Sequence, residues 1–259
     1  MVDPFDEQER AEKPMNLSEA IASIWWPISV MAIDWLAVAR SWKRLEYAAK
    51  PAAIVALLAW LGVNSFGWGL WTPSLAWFAI GLVFSLAGDV LLLLPERYFL
   101  AGLVAFLLGH IAYIFGLNAA GWLWPTEALL AIPMVLIGGW LVWRIGRSLQ
   151  ITGRSRLKVP IVVYTAVISL MVVSAAATLF RSVWPTYPAA LIALGAILFF
   201  TSDALLAWNR FVAPIARGKM LVIVAYHLGQ MLLILGAVRM VEVFPGILSG
   251  YAALVSSLK

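Results

Sequence analysis

The chain has 259 residues, of which 63% are hydrophobic and 12% charged, with a net charge of +5 and no cysteine. Soluble domains are nearer half apolar and a quarter charged, so this composition excludes an ordinary water-soluble core, and the lack of cysteine excludes disulfides and thiolate chemistry. The excess of Lys and Arg falls in loops between apolar blocks, where it reports membrane topology and not nucleic-acid binding.

Residues 1–18 are polar and broken by Pro4 and Pro14. They lack the basic start, apolar centre and small-residue cleavage site of a signal peptide and are expected to form a disordered tail. A single transmembrane domain is expected over 19–259. Its apolar blocks are close to the length of about 20 residues that crosses a bilayer as a helix. They predict eight helices, over 20–39, 51–67, 73–94, 98–118, 125–144, 159–180, 188–208 and 219–240. The fold class is therefore an all-α polytopic membrane protein, a bundle of about eight transmembrane helices.

Charge alternates between the loops. Arg40, Lys43, Arg44 and Lys50 follow the first predicted helix, and Arg97 follows the third. Arg144, Arg147, Arg154, Arg156 and Lys158 follow the fifth, and Arg210, Arg217 and Lys219 follow the seventh. The remaining loops carry tryptophan instead, at Trp68, Trp71, Trp122, Trp124 and Trp184. Basic loops stay in the cytoplasm and Trp favours the interface, so both termini are expected on the non-cytoplasmic side. The stretch SLAGDVLLLLPERYF (85–99) resembles LFFTSDALLAWNRFV (198–212), and a helix with one histidine follows each. This suggests a parallel internal repeat.

Polar residues inside these blocks fall at related depths. With a rise of about 1.5 Å per residue, Asp89 lies roughly 10 Å before Glu96, and Asp203 lies at the same depth before Arg210. His227 lies roughly 12 Å past Lys219, and Asp34 roughly 9 Å before Arg40. His110 is deeper. Phe99, Gly102, Phe106, His110 and Tyr113 share one face of the fourth helix, Ser85 and Asp89 share one of the third, and Ser202 is on the face of the seventh beside Asp203. Tyr226 and Gln230 are one turn apart on the eighth. Intramembrane carboxylates are costly and face a partner or a cavity, so a polar pocket between helices is expected, open toward the basic end. Ser85 and Ser202 are more simply packing residues, and Asp34 lies near enough to a helix end to snorkel.

Two carboxylates in a dry pocket can divide the roles of proton donor and base, because repulsion keeps one protonated while the other is ionised. Such a pair suits a carbon that develops oxocarbenium character, as in glycoside cleavage or vinyl ether hydrolysis. No close His pair, G-x-S-x-G, P-loop or dinucleotide motif is present, so no metal or cofactor is expected.

The chain resembles the YhhN-like lysoplasmalogenases. The resemblance rests on F84-S85-x-x-G88-D89, on F99-x-x-G102-x-x-x-F106-x-x-G109-H110-x-x-Y113, on G195-A196-x-x-F199-x-x-S202-D203-x-x-L206-A207 and on Y226-x-x-x-Q230, and it covers roughly residues 45–240. It implies hydrolysis of the vinyl ether bond of lysoplasmalogen to a fatty aldehyde and a glycerophospho headgroup, with Asp89 and Asp203 as the catalytic pair. His110, Tyr113, Tyr226, His227, Gln230, Ser85, Ser202 and Asp34 would contact substrate or water, and Arg97, Arg210 or Lys219 the phosphate. The partners are then a lysophospholipid and the membrane. The competing expectations are a proton-coupled transporter, a metal-dependent lipid hydrolase and a non-catalytic lipid-binding protein.

Overall fold

The computed structural model describes residues 23–66, 71–119, 121–122 and 126–257, with side chains up to Val241 apart from Phe66. The amino-terminal tail expected over 1–18 lies outside them. The described residues form eight α-helices: α1 (Trp25–Ala39), α2 (Lys43–Phe66), α3 (Pro73–Leu93), α4 (Phe99–Leu117), α5 (Ala131–Ile151), α6 (Lys158–Ala177), α7 (Thr186–Phe211) and α8 (Gly218–Ser257). Seven are long and apolar enough to cross a membrane, and α1, at 15 residues, is shorter than a span. The protein is thus an all-helical polytopic membrane protein.

Helix boundaries depart from expectation at three places that bear on the site. Helix α2 begins at Lys43, not at residue 51, and carries Pro51 inside it. A proline there removes one intrahelical bond, but the apolar run beyond it packs well enough to keep the helix going. Lys50 is consequently a helical residue inside the bundle and not a loop charge. Helix α5 extends to Ile151, so Arg144 and Arg147 are on the helix. Helix α8 continues to Ser257, well past the expected end at 240.

Local signals explain the starts and stops. Thr72 caps α3, its hydroxyl accepting from the Leu75 amide at 3.3 Å, with Pro73 in the first turn, where its missing N–H is harmless. Ser41, at φ 56°, ends α1. The Asn209 side chain accepts from the Ile215 amide at 2.9 Å and fixes the turn from α7 to α8.

Adjacent helices pair as hairpins, α1 with α2, α3 with α4 and α7 with α8, while α6 contacts α4, α5 and α7. The α7–α8 approach depends on two glycines. A Cβ on Gly195 would lie 2.8 Å from the Leu233 amide nitrogen, and one on Gly229 would lie 2.9 Å from that of Phe199. Small residues at such crossings let backbones approach where lipid supplies no hydrophobic drive. Helix α5 is peripheral and turns Val135, Leu136 and Trp140 outward. At the tryptophan-bearing end, Arg181 grips the Glu127 carboxylate through two hydrogen bonds of 3.0 and 2.9 Å and also donates to Asn118. This basic residue, in a loop expected to be nearly free of them, ties the ends of α4, α5 and α6 together.

Candidate active site

The polar residues of the bundle gather around its two central aspartates. Asp89 on α3 is completely buried. Lys50 on α2 reaches it with Nζ 3.0 Å from Oδ1, and the Tyr226 hydroxyl on α8 donates to Oδ2 at 2.7 Å. A buried carboxylate in an apolar bundle needs such partners, and these come from two different helices.

Asp203 on α7 is held differently. The Tyr164 hydroxyl on α6 donates to Oδ2 at 2.5 Å. His110 on α4 brings Nε2 to 3.7 Å from the same oxygen, beyond a hydrogen bond, and both of its ring nitrogens lack hydrogen-bond partners. Asp203 and Tyr164 line a narrow apolar cleft between α4, α5, α6 and α7, walled by Phe106, Ile145, Ile168 and Phe200. Its enclosed space is about 50 Å³, enough for a few waters.

No hydrogen bond or ion pair joins the two carboxylates. Aromatic rings span the interval: Tyr226 packs edge-on against Phe199 at 5.4 Å, and Phe199 against His110 at 4.7 Å. The cleft reaches Asp203 but not Asp89, which lies behind Tyr226 and Phe106. A pocket shared directly by the two acids, as the depths suggested, is replaced by a row running Asp89, Tyr226, Phe199, His110, Asp203.

The other expected site residues fall around this row. Tyr113 donates to Gln230 Oε1 at 2.6 Å and ties α4 to α8. The Ser202 hydroxyl donates to the Val222 carbonyl at 2.9 Å, and Ser85 is buried where α3 meets Gly109 of α4, hydrogen-bonded to Tyr113. His227 accepts from Trp35 Nε1 at 3.0 Å through Nδ1, and its Nε2 lies 4.0 Å from Asp34 Oδ2. Asp34 does not snorkel: it is fully buried, and neither of its oxygens has a hydrogen-bond partner. Lys219 pairs with Glu46 at 2.6 Å. Among the described residues, no three His, Cys, Asp or Glu side chains come close enough to share a metal ion.

Two residues that touch the aspartates were not singled out in the sequence. Tyr164 lies six residues past Lys158, roughly 9 Å in, the depth that marked the acids. Lys50 was hidden by the proline after it. With both in place, the two halves match. Each aspartate takes one partner from the helix before it, Lys50 on α2 or Tyr164 on α6, and one from the last helix of the opposite half, Tyr226 on α8 or His110 on α4. The faint sequence repeat therefore has a counterpart in the contacts.

These features define a polytopic helical membrane protein with a buried polar site reached through an apolar cleft. The chain belongs to the YhhN family, whose sequence profile matches residues 45–237. It is 30% identical over 195 residues to lysoplasmalogenase TMEM86A of Bos taurus, covering 73% of this chain and 77% of that one. It is 26% identical to human lysoplasmalogenase TMEM86B over 73% of this chain and 76% of the relative. To a lysoplasmalogenase of Mycobacterium bovis it is 32% identical over 52% of this chain and 50% of the relative. No solved structure matches it.

Proposed function

We propose that the chain is a membrane hydrolase that cleaves the vinyl ether bond of lysoplasmalogen-type lysophospholipids. The observation that carries this reading is Asp203 lining an apolar cleft beside Tyr164 and His110, in a chain related over most of its length to proteins named lysoplasmalogenase. The apolar lining of the cleft matches an alkenyl chain in chemistry, the chain enters by parting walls that now enclose about 50 Å³, and a carboxyl on the wall can reach the ether.

In the proposed reaction, Asp203 in its acid form donates a proton to the outer alkenyl carbon. The inner carbon becomes an oxocarbenium ion. Water adds there and gives its proton to His110, whose ring nitrogens have no hydrogen-bond partner and one of which lies 3.7 Å from Asp203. The hemiacetal then collapses: its hydroxyl proton passes to the Asp203 carboxylate, the carbon–oxygen bond to glycerol breaks, and the glycerol oxygen takes the proton held by His110, which restores both groups. The products are a fatty aldehyde and the glycerophospho headgroup. Asp89 and Lys50 form a buried ion pair whose negative end, at Asp89 Oδ2, faces Tyr226, and that end favours the positive charge that develops on the inner carbon. The basic end of the bundle faces the cytoplasm in this reading.

Purified protein given lysoplasmalogen is expected to release aldehyde. Asp203→Asn is expected to fold, judged by size exclusion and helical circular dichroism, and to lose about 10²- to 10⁴-fold in kcat, the usual worth of a positioned proton donor. Asp89→Asn keeps the hydrogen bond from Tyr226 but strands Lys50, so the stability-restoring pair Lys50→Met/Asp89→Asn is the variant expected to fold and to show a substantial loss of kcat. No aldehyde from the wild type would overturn the activity, and full turnover by Asp203→Asn would overturn the mechanism.

A further inference from the structure

At the basic end of the bundle, a cavity of about 650 Å³ opens between the turn Glu96–Tyr98, the turn Ser155–Leu157 and the end of α7. Four guanidinium groups line it, those of Arg97, Arg154, Arg156 and Arg210, against the single carboxylate of Glu96. Two of the four are already engaged: Arg210 pairs with Glu96 at 3.1 Å and stacks 3.8 Å above the Phe99 ring, and Arg97 lies 4.9 Å from the Tyr98 ring centre. The exposed side chains of Arg154 and Arg156 hold no hydrogen bond or ion pair among the described residues.

This vestibule adjoins the Asp203 cleft. Phe99 and Phe211, packed edge to face at 5.8 Å, line both spaces. From the basic end inward the order is therefore a basic chamber, a pair of packed aromatic rings and an apolar cleft with a carboxyl on its wall. That sequence of environments matches a single-chain phospholipid read from its phosphate to its tail.

The spacing agrees. Asp203 lies seven residues from Arg210, a rise of roughly 10 Å. In an alkenyl glycerophospholipid seven bonds separate phosphorus from the outer alkenyl carbon, on the order of 9 Å when extended. A phosphate at the level of Arg210, one wall of the vestibule, thus brings the reacting carbon to Asp203.

We propose that this vestibule is the phosphate subsite, in which Arg154 and Arg156 grip the phosphodiester of the substrate while glycerol threads the Phe99–Phe211 neck. The proposal rests on the reading of the Asp203 cleft as the place of ether cleavage. Guanidinium groups suit phosphate because their donors match its oxygens in pairs. The same chemistry would also hold the headgroup of a bulk anionic lipid at the bilayer surface, so the experiment separates the two sources.

The full chain is compared with Arg154→Gln/Arg156→Gln, and with Arg40→Gln/Arg44→Gln as a loss of equal charge elsewhere at the same end. Two substrates are used, alkenyl lysophosphatidylethanolamine and phosphate-free alkenylglycerol, each in zwitterionic and in anionic vesicles. The vestibule variant is expected to raise KM for the phosphate-bearing substrate about tenfold or more, the worth of one charged hydrogen bond, with kcat unchanged. Its KM for alkenylglycerol should match the wild type, and the control pair should raise neither. Equal changes for both substrates, no change, or a change confined to anionic vesicles would overturn the subsite. A non-hydrolysable alkyl lysophospholipid, titrated calorimetrically, supplies a second readout. A tenfold weaker Kd in the vestibule variant supports the subsite even if the wild type releases no aldehyde, and an unchanged Kd overturns it whatever the turnover.

Discussion

Asp89 and Asp203 are the same residue type at the same depth, yet their surroundings set them apart. Asp89 has a lysine at 3.0 Å and is sealed from solvent. Asp203 has a phenol and an imidazole beside it and sits on a cleft. The ion pair is therefore the more consequential for stability. Removing one partner of a buried pair leaves an uncompensated charge and costs about 3–5 kcal/mol. Lys50→Met is accordingly expected to lower the unfolding temperature in detergent sharply, and Asp89→Asn in the same chain to recover most of the loss. The exposed Arg210–Glu96 pair has a similar length, but water screens it, and Glu96→Gln should cost under about 1 kcal/mol. Equal losses at the two sites would contradict the assignment of Lys50 as the buried partner of Asp89.

The α7–α8 hairpin is the element on which the site most depends, because α7 carries Asp203 and Phe199 and α8 carries Tyr226. Its two backbones meet at Gly195 and Gly229, where a Cβ would fall under 3.0 Å from main-chain atoms. Backbone cannot yield as a flexible side-chain tip can, so Gly195→Val should force the helices apart. The expected result is little monodisperse protein on size exclusion, whereas Gly139→Ala on α5, where nothing stands within 4 Å, should purify as the wild type does. Helices were the part most legible in the sequence, because a bilayer demands long apolar runs and this chain supplies them. Ends were less legible where a rule of thumb met a stronger force. Pro51 was read as the opening of a helix, yet α2 runs eight residues ahead of it, and that error concealed Lys50. The acids were legible because charge stands out in an apolar segment. Tyr164 was not, because a single tyrosine in such a helix is ordinary, and only its contact with Asp203 gives it meaning.

At the scale of the whole molecule, the two halves exchange partners, so that neither aspartate is completed by its own half. That interlocking is invisible in a linear comparison of residues 85–99 with 198–212, where only a small residue, an acid and an aromatic exit recur. Orientation is the property to test at this scale. The chain has no native cysteine, so single cysteines report cleanly. Ser155→Cys in the basic turn and Trp122→Cys at the far end are both at exposed positions. With an impermeant thiol reagent on intact cells, Trp122→Cys should label and Ser155→Cys should label only after permeabilisation; the reverse pattern would place the arginine vestibule outside. The order of the partners along the chain has a consequence for biogenesis. Lys50 is synthesised before Asp89, and both His110 and Tyr164 before Asp203. A translocon releasing helices one after another therefore never commits either acid to lipid before a group able to receive it has been made, and the cost of about 3 kcal/mol for a lone charge at mid-membrane is met by a neighbour already waiting in the bilayer.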